Sequence, residues 1–217
     1  MFEDRNDAAL QLADALSDYE KRNPLVLAIP RGAVPMAEVL AQRLGGELDV
    51  VLVRKLRAPG NPEYAVGAID ESGWRYISPY AEQAGADASY LDDESAAQLV
   101  LLRERRAAYT PHRAPIDPKG RIAIVVDDGI ATGATMIAAL HSVRSKQPAK
   151  LICAVPVAAP DSLEQVRPYA DEVVCLHAPE FFQAVGQFYR RFVQVDDARV
   201  TASLDEASRR AAASAYR

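Results

Sequence analysis

Val125-Val126-Asp127-Asp128-Gly129-Ile130-Ala131-Thr132-Gly133-Ala134-Thr135-Met136 is the stretch on which the reading of this chain turns. Residues 122–126 form a short, continuously apolar run, the pattern of a central parallel strand covered on both faces. Two adjacent carboxylates stand at its C-terminal end, the edge at which open α/β sheets bind ligands. Two glycines and two threonines follow, and residues 134–143 then take helical spacing, with Ile137 and Leu140 facing inward. Glycines permit unusual backbone angles, successive N–H groups converge, and the helix N-terminus adds partial positive charge, so the turn reads as an anion cradle. Thr132 and Thr135 can donate hydroxyl hydrogen bonds to phosphate oxygens. Asp127 and Asp128 suit vicinal sugar hydroxyls, or a divalent cation through water. Hydroxyls beside a phosphate describe a ribose 5-phosphate. The plainer alternative is an acidic turn before an ordinary helix cap.

Other phosphate and hydrolase signatures are missing. No Gly-Lys-Ser or Gly-Lys-Thr follows the glycines, and the carboxylates precede the glycines with no GxGxxG. There is no Gly-x-Ser-x-Gly elbow and no His-Glu-x-x-His. His112, His141 and His177 have no metal-ligand spacing, and His141 reads as helix surface or packing.

Outward from this stretch the α/β rhythm holds at both ends. An opening helix carries Ala8, Ala9, Leu12, Ala13 and Leu16, with Asn6 or Asp7 as its expected cap. Residues 25–29 predict a second buried strand. Pro30-Arg31-Gly32 breaks it, a helix through Val34, Ala37, Leu40 and Leu44 follows, and residues 48–53 predict another strand. This is a βαβ unit. Residues 57–62 read as a turn or loop, and 64–69 with 74–77 as short strands joined by an Asp70-Glu71-Ser72-Gly73 hairpin. Residues 92–109 predict a helix with Leu99, Leu102 and Arg106 on one side and Arg103-Glu104-Arg105 as solvated surface. Residues 111–118 read as a loop. Strand, short helix and last parallel strand are expected at 150–155, 162–166 and 171–176. Residues 179–195 carry Phe181, Phe182, Phe188, Tyr189 and Phe192, and the tail from Ser203 is Ala-rich, anchored by Leu204, with frayed last turns expected.

Composition sets the outer limits. The 217 residues (23.6 kDa) suit one domain, with residues 56–115 as a flap and helical insertion and 179–217 as an aromatic C-terminal segment and tail. At 49% hydrophobic and 25% charged residues the chain is neither wholly disordered nor collagen-like. A net charge of -5 disfavours non-specific binding to nucleic acid or acidic membrane. Cys153 and Cys175 match no zinc or redox spacing. No apolar run is long enough to span a bilayer, and the acidic, polar first residues are unlike a signal peptide, so a cytoplasmic location is expected.

The stretch Val125 to Met136 closely resembles the 5-phosphoribosyl-1-diphosphate (PRPP) binding motif of type I phosphoribosyltransferases, and in overall layout the chain resembles an uncharacterised bacterial group of that family from about Asp4 to Val200. The resemblance implies a parallel sheet of about five strands flanked by helices, a flexible loop and a small hood. It implies that Asp127 and Asp128 hold the ribose 2- and 3-hydroxyls, and that Ala131, Thr132, Gly133, Ala134 and Thr135 hold the 5-phosphate. Pro30-Arg31-Gly32-Ala33 occupies the place of the family's pyrophosphate loop, where Arg31, Gly32 and Ala33 would contact the anion. A cis peptide, common in that loop, is expected near Arg31–Gly32. Arg54, Lys55 and Arg57 occupy the place of the flexible catalytic loop, with Lys55 the preferred pyrophosphate contact and Arg54 and Lys55 among the catalytic candidates.

The implied chemistry is attack of a base or other nucleophile on C1 of the PRPP ribose as pyrophosphate departs. Mg²⁺ would act through pyrophosphate and water near Asp127 and Asp128, with no direct protein ligand assigned. Tyr64, Phe181 and Phe182 are the base or hood candidates, although Phe181, Phe182 and Phe188 also fit a purely structural role in the core or a dimer contact. The acceptor is not distinguishable among nucleobases and other small nucleophiles, and a homodimer is implied by resemblance alone. Two other functions fit the same cradle: a regulatory protein sensing PRPP or a nucleotide, and a ribose-phosphate hydrolase or phosphorylase.

Overall fold

The computed structural model describes residues 1–111 and 114–215. His112 lies outside the described residues. The central sheet has five strands, all parallel: β1 (Leu25–Ala28), β2 (Glu47–Val50), β6 (Ile122–Val126), β7 (Lys150–Val157) and β8 (Glu172–His177), in the order β2-β1-β6-β7-β8. Its side chains alternate between two apolar cores, as pleating requires. Val26, Ala28, Ile124, Val126, Ile152 and Ala154 face one core, while Leu25, Leu27, Ala123, Val125, Leu151 and Cys153 face the other. Both faces are covered, which is why these strands are apolar throughout. Helices α1 (Arg5–Ala15) and α2 (Val34–Leu44) lie on the first core, and α4 (Ala134–Arg144) and α5 (Pro160–Val166) on the second. The connections diverge from β1 and β6, so the loops after those two strands flank a crevice at the switch point of the sheet.

Three expectations are corrected here. Asp4 caps α1, accepting from the Asn6 and Asp7 amides at 3.0 and 3.1 Å, in place of Asn6 or Asp7. The run 48–53 divides between β2 and β3 (Val53–Ala58), because Val51 and Leu52 carry the chain out of the parallel sheet into a second, antiparallel one. That sheet consists of β3, β4 (Asn61–Asp70) and β5 (Arg75–Ile77). Residues 57–62, expected as a loop, are therefore mostly strand around a tight Pro59-Gly60 turn, with register shifts on both sides of Arg57. The Leu204 anchor of the Ala-rich tail is present: Leu204 is buried with Val200 on a helix, α6 (Asp197–Ala215).

The expected hairpin turn is present. Asp70 closes it by accepting from the Ser72 amide at 2.8 Å and the Trp74 amide at 3.1 Å. Helix α3 (Ala88–Tyr109) packs on β3 and is anchored by Arg106, which donates to Glu71 at 2.6 and 2.9 Å and to the Val50 carbonyl at 3.2 Å. His141 on α4 stacks on the Trp74 ring with centroids 3.6 Å apart, so it is a packing residue that joins the flap to the cradle helix.

Candidate active site

The cradle is strapped in place before any ligand is considered. The Ile130 amide donates to the Val157 carbonyl at 2.9 Å, the Ala159 amide donates to the Ile130 carbonyl at 2.9 Å, and Ser162 Oγ donates to the Ala131 carbonyl at 2.6 Å. Gly133 caps α4 at φ 79°, a left-handed conformation suited to glycine. Among the described residues no side chain caps this helix, which leaves its first amides available to an anion. Ala131 and Thr132 are exposed, Thr135 is half-buried, and Gly133 and Ala134 are buried beneath them. A cavity of about 190 Å³ opens here, lined by Lys55, Asp127, Asp128, Thr132, Gly133 and Thr135 among others.

A second cavity, of about 440 Å³, adjoins it through Lys55 and Thr135. Pro30, Arg31, Arg54, Arg57 and Arg105 also line it. Its floor is the turn after β1, where the cis peptide lies at Pro30–Arg31, one bond earlier than expected. Arg31 reaches Asp197 of α6 at 3.4 Å. Arg54 donates to the Gln98 side-chain oxygen. The two cavities share Lys55 and Thr135 in their linings, and Arg54, Lys55 and Arg57 are presented from a strand.

The carboxylates have different surroundings. Asp127 Oδ1 accepts from the Asp128 amide at 2.9 Å. Burial and the neighbouring Asp128 charge push its pKa well above the ordinary carboxyl value, making it a weaker acid, against the pull of Lys55 and Arg5. Asp128 Oδ2 accepts from Arg5 Nη2 at 2.8 Å and Nε at 3.0 Å. Burial raises Asp128 too, and the Arg5 guanidinium opposes that rise. Arg5 is fixed on its other sides: Nη1 donates to the Val193 carbonyl at 2.6 Å, and the guanidinium lies 3.9 Å from the Phe192 ring centroid. Tyr189 Oη donates to the Asp128 carbonyl at 2.6 Å. Asp128 is thereby held between the first turn of α1 and the aromatic C-terminal segment.

Gly32 completes this packing. A Cβ at that position would fall 2.1 Å from Asp128 Oδ2 and 3.2 Å from Arg5 Nη2, and neither atom is free to retreat. Gly32→Ala is expected to displace the acid pair and lower stability by about 1–3 kcal/mol. Thermal unfolding beside the parent checks this, and an unchanged melting temperature would contradict the packing described.

The base or hood candidates lie elsewhere. Tyr64 and Phe181 are exposed, and Phe182 packs on Phe188 with ring centroids 5.3 Å apart. None of the three lines either cavity, whereas Val185 lines the cradle. Arg5 and Arg105 were not signalled by the sequence: the first sits in an ordinary helix start and the second in a charged triplet.

Comparison with known proteins agrees with this geometry. Residues 3–192 match the phosphoribosyl transferase domain family. Rv0571c of Mycobacterium tuberculosis, whose name places it provisionally among the phosphoribosyl transferases, is 44% identical over 210 residues, or 96% of this chain and 47% of that protein. The chain therefore spans about half the length of the curated relatives it matches. The crystal structure of TT1426 from Thermus thermophilus is 48% identical, covers 94% of this chain and 98% of its own, and superposes with a TM-score of 0.79. AQ2163 of Aquifex aeolicus, 16% identical over 84% of this chain and 76% of its own, shares the fold with a TM-score of 0.50. Among the described residues no helix is long and apolar enough to cross a membrane. With its five-stranded parallel sheet, its acid pair and the cradle beyond it, the chain belongs to the phosphoribosyl transferase family.

Proposed function

We propose that this chain transfers the 5-phosphoribosyl group of PRPP to a nucleobase or other small nucleophile, releasing pyrophosphate. The observation that carries the reading is a pair of adjoining cavities sharing Lys55 and Thr135, one lined by the acid pair and the uncapped helix start and the other by a cluster of cations. Ala131 to Thr135 would hold the 5-phosphate through backbone amides and the two threonine hydroxyls. Asp127, whose second oxygen has no protein hydrogen bond among the described residues, would accept from a ribose hydroxyl, and Asp128 would hold the facing edge of the sugar. Lys55 stands between the two cavities and would follow the negative charge from bound diphosphate to departing pyrophosphate. Arg31, Arg54 and Arg57 would add charge stabilisation, and Gly32 and Ala33 would bring the backbone close to the diphosphate. Alignment and electrostatics would supply the rate, with no covalent enzyme intermediate.

The donor set fits Mg²⁺ arriving with its substrate. Among the described residues no group of three or more His, Cys, Asp or Glu gathers to cage a metal. Mg²⁺ keeps several waters and binds mainly through substrate phosphate oxygens, so Asp127 and Asp128 would act on it through water. When bound, the ion would offset the growing charge on the leaving diphosphate.

Calorimetry tests the reading. PRPP with Mg²⁺ is expected to bind saturably, and a Thr132→Val/Thr135→Val variant to bind at least about tenfold more weakly, the scale of a lost hydrogen bond to a charged group. Lys55→Ala is expected to lower both PRPP affinity and turnover. Parent-like affinity in the double threonine variant would remove the cradle from the account. Saturable binding with no turnover for any acceptor would favour a sensor of PRPP.

A further inference from the structure

We propose that Arg105, on the helix covering the cleft, is a direct ligand of the substrate diphosphate. The inference rests on the phosphoribosyl transfer reading above. Arg105 lines the 440 Å³ cavity together with Arg31, Arg54, Lys55 and Arg57. Its direction is set by its neighbour. Arg106 is drawn toward the sheet by Glu71 and the Val50 carbonyl, and successive helical side chains diverge by about 100°. Arg105 is thereby turned to the cleft side of α3, where its guanidinium lies 6.0 Å from the Tyr109 ring centroid.

The charge pattern points to an anion. Arg105, Lys55 and Arg57 make no salt bridge among the described residues, although Lys55 acts at longer range on Asp127. Arg54 is paired with a neutral amide, and Arg31 shares Asp197 with the Tyr109 hydroxyl. Glu94 makes no ion pair with Arg54, though its charge acts on it, and its Oε1 accepts from the Arg57 amide at 3.3 Å and Gln98 Nε2 at 3.0 Å. The guanidiniums of Arg105 and Arg57 both bear on Arg54, so the cations stand close enough to repel. Like charges gathered around a cavity without matching acids are stabilised by a polyanion within it. A diphosphate has the charge and the several acceptor oxygens to engage them, and a guanidinium fork suits two of those oxygens at once.

The test uses the full chain and two probes, inorganic pyrophosphate with Mg²⁺ and ribose 5-phosphate, titrated calorimetrically. Arg105→Gln is expected to weaken pyrophosphate binding about tenfold, the scale of one charge-assisted hydrogen bond. Ribose 5-phosphate binding is expected to remain unchanged. Arg105→Lys is expected to recover part of the loss, because it restores charge without the fork. Pyrophosphate affinity equal in parent and Arg105→Gln would overturn the assignment while leaving the proposed function intact. Failure of the parent to bind either probe would overturn both.

Discussion

Arg5→Met is expected to destabilise the protein by about 3–5 kcal/mol, the range for removing one partner of a buried ion pair. The side chains of Arg5 and Asp128 are only 12% and 16% exposed, so water does not replace the lost guanidinium. Methionine keeps much of the apolar stem against Phe192 but leaves Asp128 Oδ2 without its two donors. At this chain length each kcal/mol moves the melting temperature by roughly 2–4 °C, so a fall of at least about 6 °C is expected.

The pH dependence identifies the cause. Asp128 already titrates above its ordinary value of 3.8 in the folded chain, and loss of Arg5 raises it further. The folded state then holds a proton more firmly than the unfolded state, so stability falls as pH rises. The penalty is complete above the folded-state value and disappears as pH falls to 3.8. Melting temperatures of parent and variant should therefore converge in acid. A constant gap across that range would show that Arg5 acts through packing rather than through Asp128.

The parts of this molecule legible in the sequence are those set by neighbours in the chain. The apolar runs of β1 and β6 announce a sheet covered on both faces. The order of carboxylates, glycines and threonines after β6 announces an anion cradle, because the strand end, turn and helix start are consecutive. The missed features depend on distant chain segments. Arg5 meets Asp128 across 123 positions, and only closure of α1 against the aromatic segment brings them together. Arg105 looked like solvated surface because Arg103-Glu104-Arg105 carries no sign of which residue faces the cleft. The strand conformation of Arg54, Lys55 and Arg57 was hidden by Pro59 and Gly60, which serve a tight turn within a sheet. The α6 tail looked weakly anchored because its partners lie elsewhere: Ser203 Oγ donates to Glu38 of α2 at 2.9 Å, and Arg199 Nη2 does so at 3.1 Å.

Replacement of both acids, Asp127→Asn/Asp128→Asn, is expected to reduce phosphoribosyl transfer by about 10²–10⁴-fold. Two charge-assisted contacts of roughly 1.5–3 kcal/mol each account for that range. Asparagine preserves volume, and its side-chain oxygen can still accept from Arg5, so the cleft keeps its shape while losing two charges. The acids would bear on the ribose as positive charge develops there, so the loss should fall mainly on turnover if the contacts strengthen in the transition state.

The most direct test is pyrophosphate release from PRPP with Mg²⁺ and a pool of nucleobases, beside a base-free control and the doubly substituted chain. Release that requires a base, stops in the Asp127→Asn/Asp128→Asn chain and is lost on chelation of divalent metal is the predicted result. Base-dependent release that continues at the parent rate in the doubly substituted chain would contradict the central claim.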